Sequence, residues 1–160
     1  KLEAKKIFMI NPIIFKEKEE IIIYNDNKLY AIPDYIGYYA DESGEIYSTL
    51  GKGCRDKFDL SKRVNPYKLN PRLTNKGYCR VYLRKTSSNK RKDVYVHRII
   101  ASLFVENPDP DNYNQVNHKD TITTHNHKDN LEWCNSDYNI GYALKYGNMD
   151  RDKLGKFCHK

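Results

Sequence analysis

His118 is the side chain that most directly suggests chemistry. An imidazole titrates near neutrality, so it can take a proton from water when hydrolysis needs a general base. It sits in Val116-Asn117-His118-Lys119-Asp120, followed by Asp129-Asn130-Leu131-Glu132-Trp133 and Ser136-Asp137-Tyr138-Asn139. Asn117 and Asn139 carry hard carbonyl oxygens, the donor type preferred by magnesium, calcium or manganese. A base beside a divalent cation is what phosphodiester hydrolysis requires, because the phosphate and the departing oxygen must be neutralised. On spacing alone, a solvated histidine in asparagine-rich turns is an equally good account.

Local elements must hold these groups. Eleven residues rich in Thr, His, Asn and Lys separate His118 from Asn130, too polar for a core and long enough for a broad hairpin loop. His125 and His127 lie in that loop and read as solvated side chains. Asn130–Cys134 alternates Leu131 and Trp133 with polar neighbours, which predicts a short strand with Trp133 in the core. Asn135-Ser136 is a helix N-cap signal, Ile140, Ala143 and Leu144 recur at helical spacing, and Gly147 stops the run. The predicted order is strand, loop, strand, helix. It puts His118 at a strand end and Asn139 in the first helical turn, where both can face one cleft.

With Val96-His97-Arg98-Ile99-Ile100-Ala101 upstream, this ordered set resembles the HNH endonucleases with a ββα-metal (His-Me finger) site, particularly the phage and intron homing type. The resemblance runs from Val96 to near Gly147. It implies that His118 is the general base, that Asn130 braces the hairpin, and that Asn139 and the residue at 117 bind the metal. Position 117 is often Asp in that family and is Asn here, and a neutral pair holds a cation less tightly than a carboxylate would. Also implied are a divalent cofactor, Mg2+ with Mn2+ as the second choice, and products bearing 5′ phosphate and 3′ hydroxyl. One such site in a monomer would nick a single strand. The missing carboxylate supports the alternative, a DNA-binding protein that does not cut or a decayed nuclease. His97 matches a family histidine outside the three-residue signature and reads as structural.

The charge distribution suggests the partner. The formal net charge is +7, yet from Lys52 to Arg98 fifteen Lys and Arg face only Asp56, Asp59 and Asp93. A basic block between neutral or acidic parts is the footprint of a polyanion, which the resemblance implies is double-stranded DNA. Its bland counterpart is a solubilising charged loop. Interleaved Tyr, Val and Leu argue that the block folds. Tyr78–Arg84 alternates Cys79, Val81 and Leu83 with Tyr78, Arg80, Tyr82 and Arg84; Lys85–Lys92 is a basic turn, and Val94 and Val96 belong to the returning strand. The predicted DNA contacts are Arg80, Arg84, Lys85, Lys90, Arg91 and Lys92 on this hairpin and Arg98 on the helix after it. That helix carries Ile99, Ile100, Leu103 and Phe104 on one face.

The remaining chain is read more coarsely. Ile21–Tyr24 and Lys28–Ile32 flank Asn25-Asp26-Asn27 as a hairpin. A second hairpin over 34–48 turns at Asp41-Glu42-Ser43; Gly37, Tyr39, Gly44, Ile46 and Ser48 make it resemble a small motif that precedes the nuclease site in phage homing enzymes. Residues 51–76, with Pro66 and Pro71, read as a long basic connection. Residues 1–20 and the tail after Gly147 show no decisive pattern. The whole is predicted as α+β: an N-terminal antiparallel β-region over 1–95 (homing motif about 29–50, basic linker and hairpin 51–95), a ββα-metal nuclease domain over 96–147, and an unassigned tail over 148–160. At 160 residues and 39% hydrophobic, the chain suits one domain or two small modules sharing a core. Its apolar N-terminal clusters are too short to span a bilayer, and no signal peptide is visible. The first residue is Lys, as in a fragment or processed chain. Cys54, Cys79, Cys134 and Cys158 are far apart, which predicts free thiols and a cytoplasmic setting, the host's if virus-encoded, rather than structural zinc or disulfides.

Overall fold

The computed structural model describes residues 21–51, 63–88, 90–147, 149–151 and 157–159. Its architecture is α+β, as predicted. Five antiparallel strands form the first sheet in chain order: β1 (Ile21–Tyr24), β2 (Asn27–Ala31), β3 (Tyr38–Ala40), β4 (Ile46–Leu50) and β5 (Arg63–Lys68). Asn25 and Asp26 close β1 onto β2 with φ of 49° and 63°, the positive pair that suits the twist of a two-residue hairpin. The β3–β4 turn is held by Asp41, whose Oδ1 accepts from the Ser43 amide and hydroxyl and from the Glu45 amide, while Oδ2 accepts from the Tyr47 hydroxyl.

The stretch expected as a long connection contains two strands. β5 runs along β4 at the sheet's edge, and β6 (Arg72–Leu73) opens the second sheet. Pro66 hid β5, since proline argues against a central strand but is tolerated at an edge. The second sheet continues with β7 (Cys79–Arg84) and β8 (Arg91–Tyr95), and Cys79, Val81 and Leu83 are buried as the alternation predicts. Thr86 ties the two sheets: its amide donates to the Asp34 carbonyl at 2.7 Å, and its hydroxyl accepts from the Ile36 amide at 3.0 Å.

Helix α1 (Val96–Phe104) follows β8 directly. Its Val96, Ile99, Ile100 and Ala101 join Ile32, Ala40 and Ile46 of the first sheet region, the inward face of β7, and Val116 and Leu131 in one hydrophobic cluster. The hairpin of β9 (Gln115–His118) and β10 (Leu131–Cys134) packs on α1, and the Trp133 indole donates to the Val105 carbonyl at 3.1 Å. Helix α2 (Ser136–Tyr146) comes next, capped by the Asn135 side chain on the Tyr138 amide and ending at Gly147. Its predicted apolar stripe does not form a buried face: among the described residues none on α2 is buried, and Ile140 is 38% exposed. The reason lies beneath it, where α2 meets the polar side of β9. The tail judged patternless contributes β11 (Met149–Arg151), paired with β12 (Phe157–His159). Expectations for residues 1–20 and for 52–62 fall outside the described residues. Among the described residues no helix is long and apolar enough to cross a membrane.

Candidate functional site

The pairing of β9 with β10 sets His118 opposite Leu131, Asn117 opposite Glu132, Val116 opposite Trp133 and Gln115 opposite Cys134. Cross-strand partners share a face and successive residues alternate. One face therefore carries His118, Val116 and Leu131 toward α1, and the other carries Asn117, Gln115 and Glu132 toward α2. His118 and Asn117 therefore leave β9 on opposite faces, and Asn139 lies on the side of Asn117, bonded to Gln115.

On the first face His118 is only 4% exposed. Its ring lies 5.2 Å from that of His97 and 6.0 Å from that of Tyr78, centroid to centroid. Nε2 lies 3.2 Å from Oδ1 of Asn126, whose own Nδ2 donates to the Thr124 carbonyl at 3.1 Å. Because that amide turns its oxygen to the ring, Nε2 is the donor, and Nδ1 keeps the lone pair. Burial lowers the His118 pKa below its usual value, with the Asn126 hydrogen bond and the Asp120 charge offsetting part of the effect. The imidazole is thus neutral at neutral pH, the form that accepts a proton.

The loop that presents Asn126 is fixed from two sides. Asn130 Nδ2 donates to Asp120 Oδ1 at 2.9 Å and to the His125 carbonyl at 2.8 Å, while its Oδ1 accepts from the Asp120 amide at 3.1 Å. These three bonds span the loop. From the other side, the β3–β4 turn docks on it: the Lys128 amide donates to the Glu42 carbonyl at 3.0 Å, and Lys128 Nζ meets Glu42 Oε2 at 2.8 Å. Gly44, at φ +100°, lies so close that a Cβ there would sit 2.7 Å from the Asn126 carbonyl oxygen. His125 and His127 are more engaged than expected. His125 Nδ1 pairs with Asp120 Oδ2 at 2.6 Å, and His127 Nδ1 accepts from the Asp129 amide at 3.2 Å, capping a 3-10 turn over Lys128–Asn130. Partial burial works against the Asp120 carboxylate, but hydrogen bonds from His125, Ile122 and Asn130 outweigh it and hold its pKa at about 2.

On the second face Asn117 Nδ2 donates to Glu132 Oε1 at 2.8 Å, and the Tyr138 hydroxyl donates to the same oxygen at 3.2 Å. Asn139 Nδ2 donates to Gln115 Oε1 at 2.8 Å. A carboxylate only accepts, so Asn117 must present its nitrogen to Glu132 and turn its carbonyl away. Among the described residues neither Asn117 Oδ1 nor Asn139 Oδ1 accepts a hydrogen bond. Amide carbonyl oxygens and a carboxylate are the donor types that a divalent cation takes. Among the described residues no three His, Cys, Asp or Glu side chains cluster as metal ligands, so the amides are essential to such a site.

His97 is 6% exposed, and its Nδ1 has no hydrogen-bond partner. Burial first, then the neighbouring His118 and Arg98, lower its pKa to about 3. It is a neutral member of a ring cluster that also includes Tyr78 and Tyr95.

Several of the predicted DNA contacts are engaged within the fold. Arg80 pairs with Asp93 at 2.8 Å and lies over the Tyr95 ring, and Lys85 pairs with Asp34 at 2.9 Å. Arg84 and Arg91 are cross-strand partners at the turn end of the β7–β8 pairing. Lys90, Arg91, Lys92 and Arg98 are exposed. Sequence reasoning missed Arg72, which donates to the Tyr82 hydroxyl at 2.6 Å, and the parts played by Asn126 and Glu132; it read the turn at Asp41-Glu42-Ser43 but not the docking of that turn on the loop. Only Glu132 carried a signal, since antiparallel pairing around the loop sets it across from Asn117.

No family model matches the chain. It is similar to two uncharacterized HNH endonucleases of Acanthamoeba polyphaga mimivirus. One is 38% identical over 86 residues, 54% of this chain and 24% of the relative. The other is 32% identical over 112 residues, 67% of this chain and 28% of the relative. The chain thus spans about a quarter of the length of these viral relatives. Among solved structures it is similar to one of DNA binding and cleavage by the HNH homing endonuclease I-HmuI, with a TM-score of 0.59 and 27% identity over 79% of this chain and 63% of that one.

Proposed function

For a chain that belongs to the HNH endonuclease family, we propose metal-dependent hydrolysis of a phosphodiester in double-stranded DNA, with His118 as the general base. His118 Nδ1 takes a proton from water, the water oxygen bonds to phosphorus, and the bond to the 3′ oxygen breaks, the departing oxyanion taking up a proton from solvent. The products carry 5′ phosphate and 3′ hydroxyl. Asn126 keeps Nε2 protonated and the ring fixed, so the basic nitrogen is available without rearrangement. Asn130 acts as a brace on the loop rather than on the substrate. Asn117 and Asn139 would hold a divalent cation, Mg2+ first and Mn2+ second, through their carbonyl oxygens. Bound there, it would supply positive charge to the phosphate and the leaving oxygen. Arg84, Lys90, Arg91, Lys92 and Arg98 are read as phosphate contacts, with Arg80 and Lys85 contributing less because Asp93 and Asp34 already pair with them. A monomer with this one site nicks a single strand. The viral relatives make the cytoplasm of a host cell the compartment this reading assigns.

The observation that carries the proposal is the oriented, neutral His118 held by Asn126 at the end of β9. The neutral amide at 117 favours a second reading, a DNA-binding protein that no longer cuts. Incubation with supercoiled plasmid and Mg2+ or Mn2+, with and without chelator, separates the two. Hydrolysis predicts chelator-sensitive conversion to nicked circles; binding without any nicking favours the second reading.

A further inference from the structure

We propose that Glu132 is the anionic member of the cation site, supplying from β10 the charge that the amide at 117 lacks. This deepens the hydrolytic reading and rests on its assignment of Asn117 and Asn139 as ligands. Glu132 is the direct cross-strand partner of Asn117, on the face covered by α2. Its Oε1 takes hydrogen bonds from Asn117 and from Tyr138, the residue beside Asn139 on α2. Oε2 accepts none from the described residues. The carboxylate is thereby fixed by one oxygen and keeps the other for a cation. Glutamate is a poor strand former. A local source of charge accounts for it, because two neutral carbonyls alone attract a divalent ion weakly, whereas ligand charge largely sets affinity at hard-oxygen sites.

A hydrogen-bonding role alone would also explain the contacts with Asn117 and Tyr138, and Glu132→Gln separates the two. The glutamine keeps an acceptor oxygen for both donors but loses the charge. Mn2+ binding to the whole chain, measured without DNA by titration calorimetry and by the paramagnetic resonance signal of free Mn2+, is expected to weaken about tenfold or more in Glu132→Gln. Asn117→Asp is expected to tighten binding and, in the Glu132→Gln background, to restore it. It carries the test if the single glutamine variant does not fold. Unchanged Mn2+ affinity in folded Glu132→Gln overturns the assignment, as does failure of Asn117→Asp to raise affinity in either background. The hydrolytic reading fails separately: a parent chain that binds Mn2+ in a Glu132-dependent way yet never nicks plasmid ends that reading and leaves Glu132 in place. Chelator-sensitive nicking with Mn2+ affinity indifferent to Glu132 does the reverse.

Discussion

In the β9–β10 hairpin the polar side chains hold one another: Asn130 spans the loop, Asn126 holds His118, and Glu132 holds Asn117, all close in sequence. In the β6–β7–β8 sheet the cations are placed differently: Lys85 pairs with Asp34 of the first sheet region, Arg72 with Tyr82, and Arg84 and Arg91 are cross-strand partners. The hairpin is organised before substrate arrives. The sheet carries cations that the proposed reading assigns to phosphate contacts. On the proposed reading geometry lies in one region and affinity in the other, so either should be open to damage without the other.

The largest expected break is His118→Ala. Loss of a general base lowers the nicking rate by about a hundredfold to ten-thousandfold while DNA affinity, measured by gel shift, stays near the parent's. Next is Gly44→Ala, which damages the hairpin from the first sheet. The new Cβ would meet the Asn126 backbone at 2.7 Å in a φ +100° conformation, so the turn or the loop must move. A stability loss of about 1–3 kcal/mol by denaturant melting, with a nicking defect out of proportion to any change in affinity, would show that this turn positions His118. A defect confined to affinity would put the turn on the DNA track instead.

Replacing Arg84 and Arg91 with Ala sharpens the other side. For every phosphate that the variant no longer neutralises, the log-log salt slope of binding falls by about 0.9 on duplex DNA. Arg80→Ala should change the slope less, because Asp93 already neutralises that guanidinium at 2.8 Å. Equal slopes for all three would dismiss the ranking. The smallest effect concerns His97. Its folded pKa of about 3 lies below the 6.5 of an unperturbed histidine, so at acid pH the unfolded chain binds a proton that the native one refuses. That contribution to stability is complete above about pH 6.5 and is lost as pH falls toward 3, by at most about 1.4 kcal/mol per pH unit. His97→Phe should flatten the acid limb of a melting-temperature profile; an unchanged limb would refute the linkage.

What sequence alone conveyed follows the range of the interactions involved. The hairpin, the Asn135 cap and the inward face of β7 depend on neighbours within a few residues, so alternation and capping chemistry exposed them. Asn130 was singled out as a brace through family resemblance, and it makes three hydrogen bonds across the loop. β5 and β6 were not legible, because edge pairing with a proline in the strand is decided by distant partners. Asn126 was one amide among several in a polar loop until the fold brought Gly44 against it. Arg80 and Lys85 looked like free cations because their acidic partners come from β8 and from the loop before β3.

The division between chemistry and affinity is tested most directly by single-turnover nicking of supercoiled plasmid at low salt, with protein in saturating excess and binding measured in the same samples. Arg84→Ala/Arg91→Ala should nick at close to the parental rate once saturated, while His118→Ala, equally bound, should leave the plasmid supercoiled. Nicking by His118→Ala near the parental rate, or an arginine variant that stays inactive when fully bound, would contradict the account.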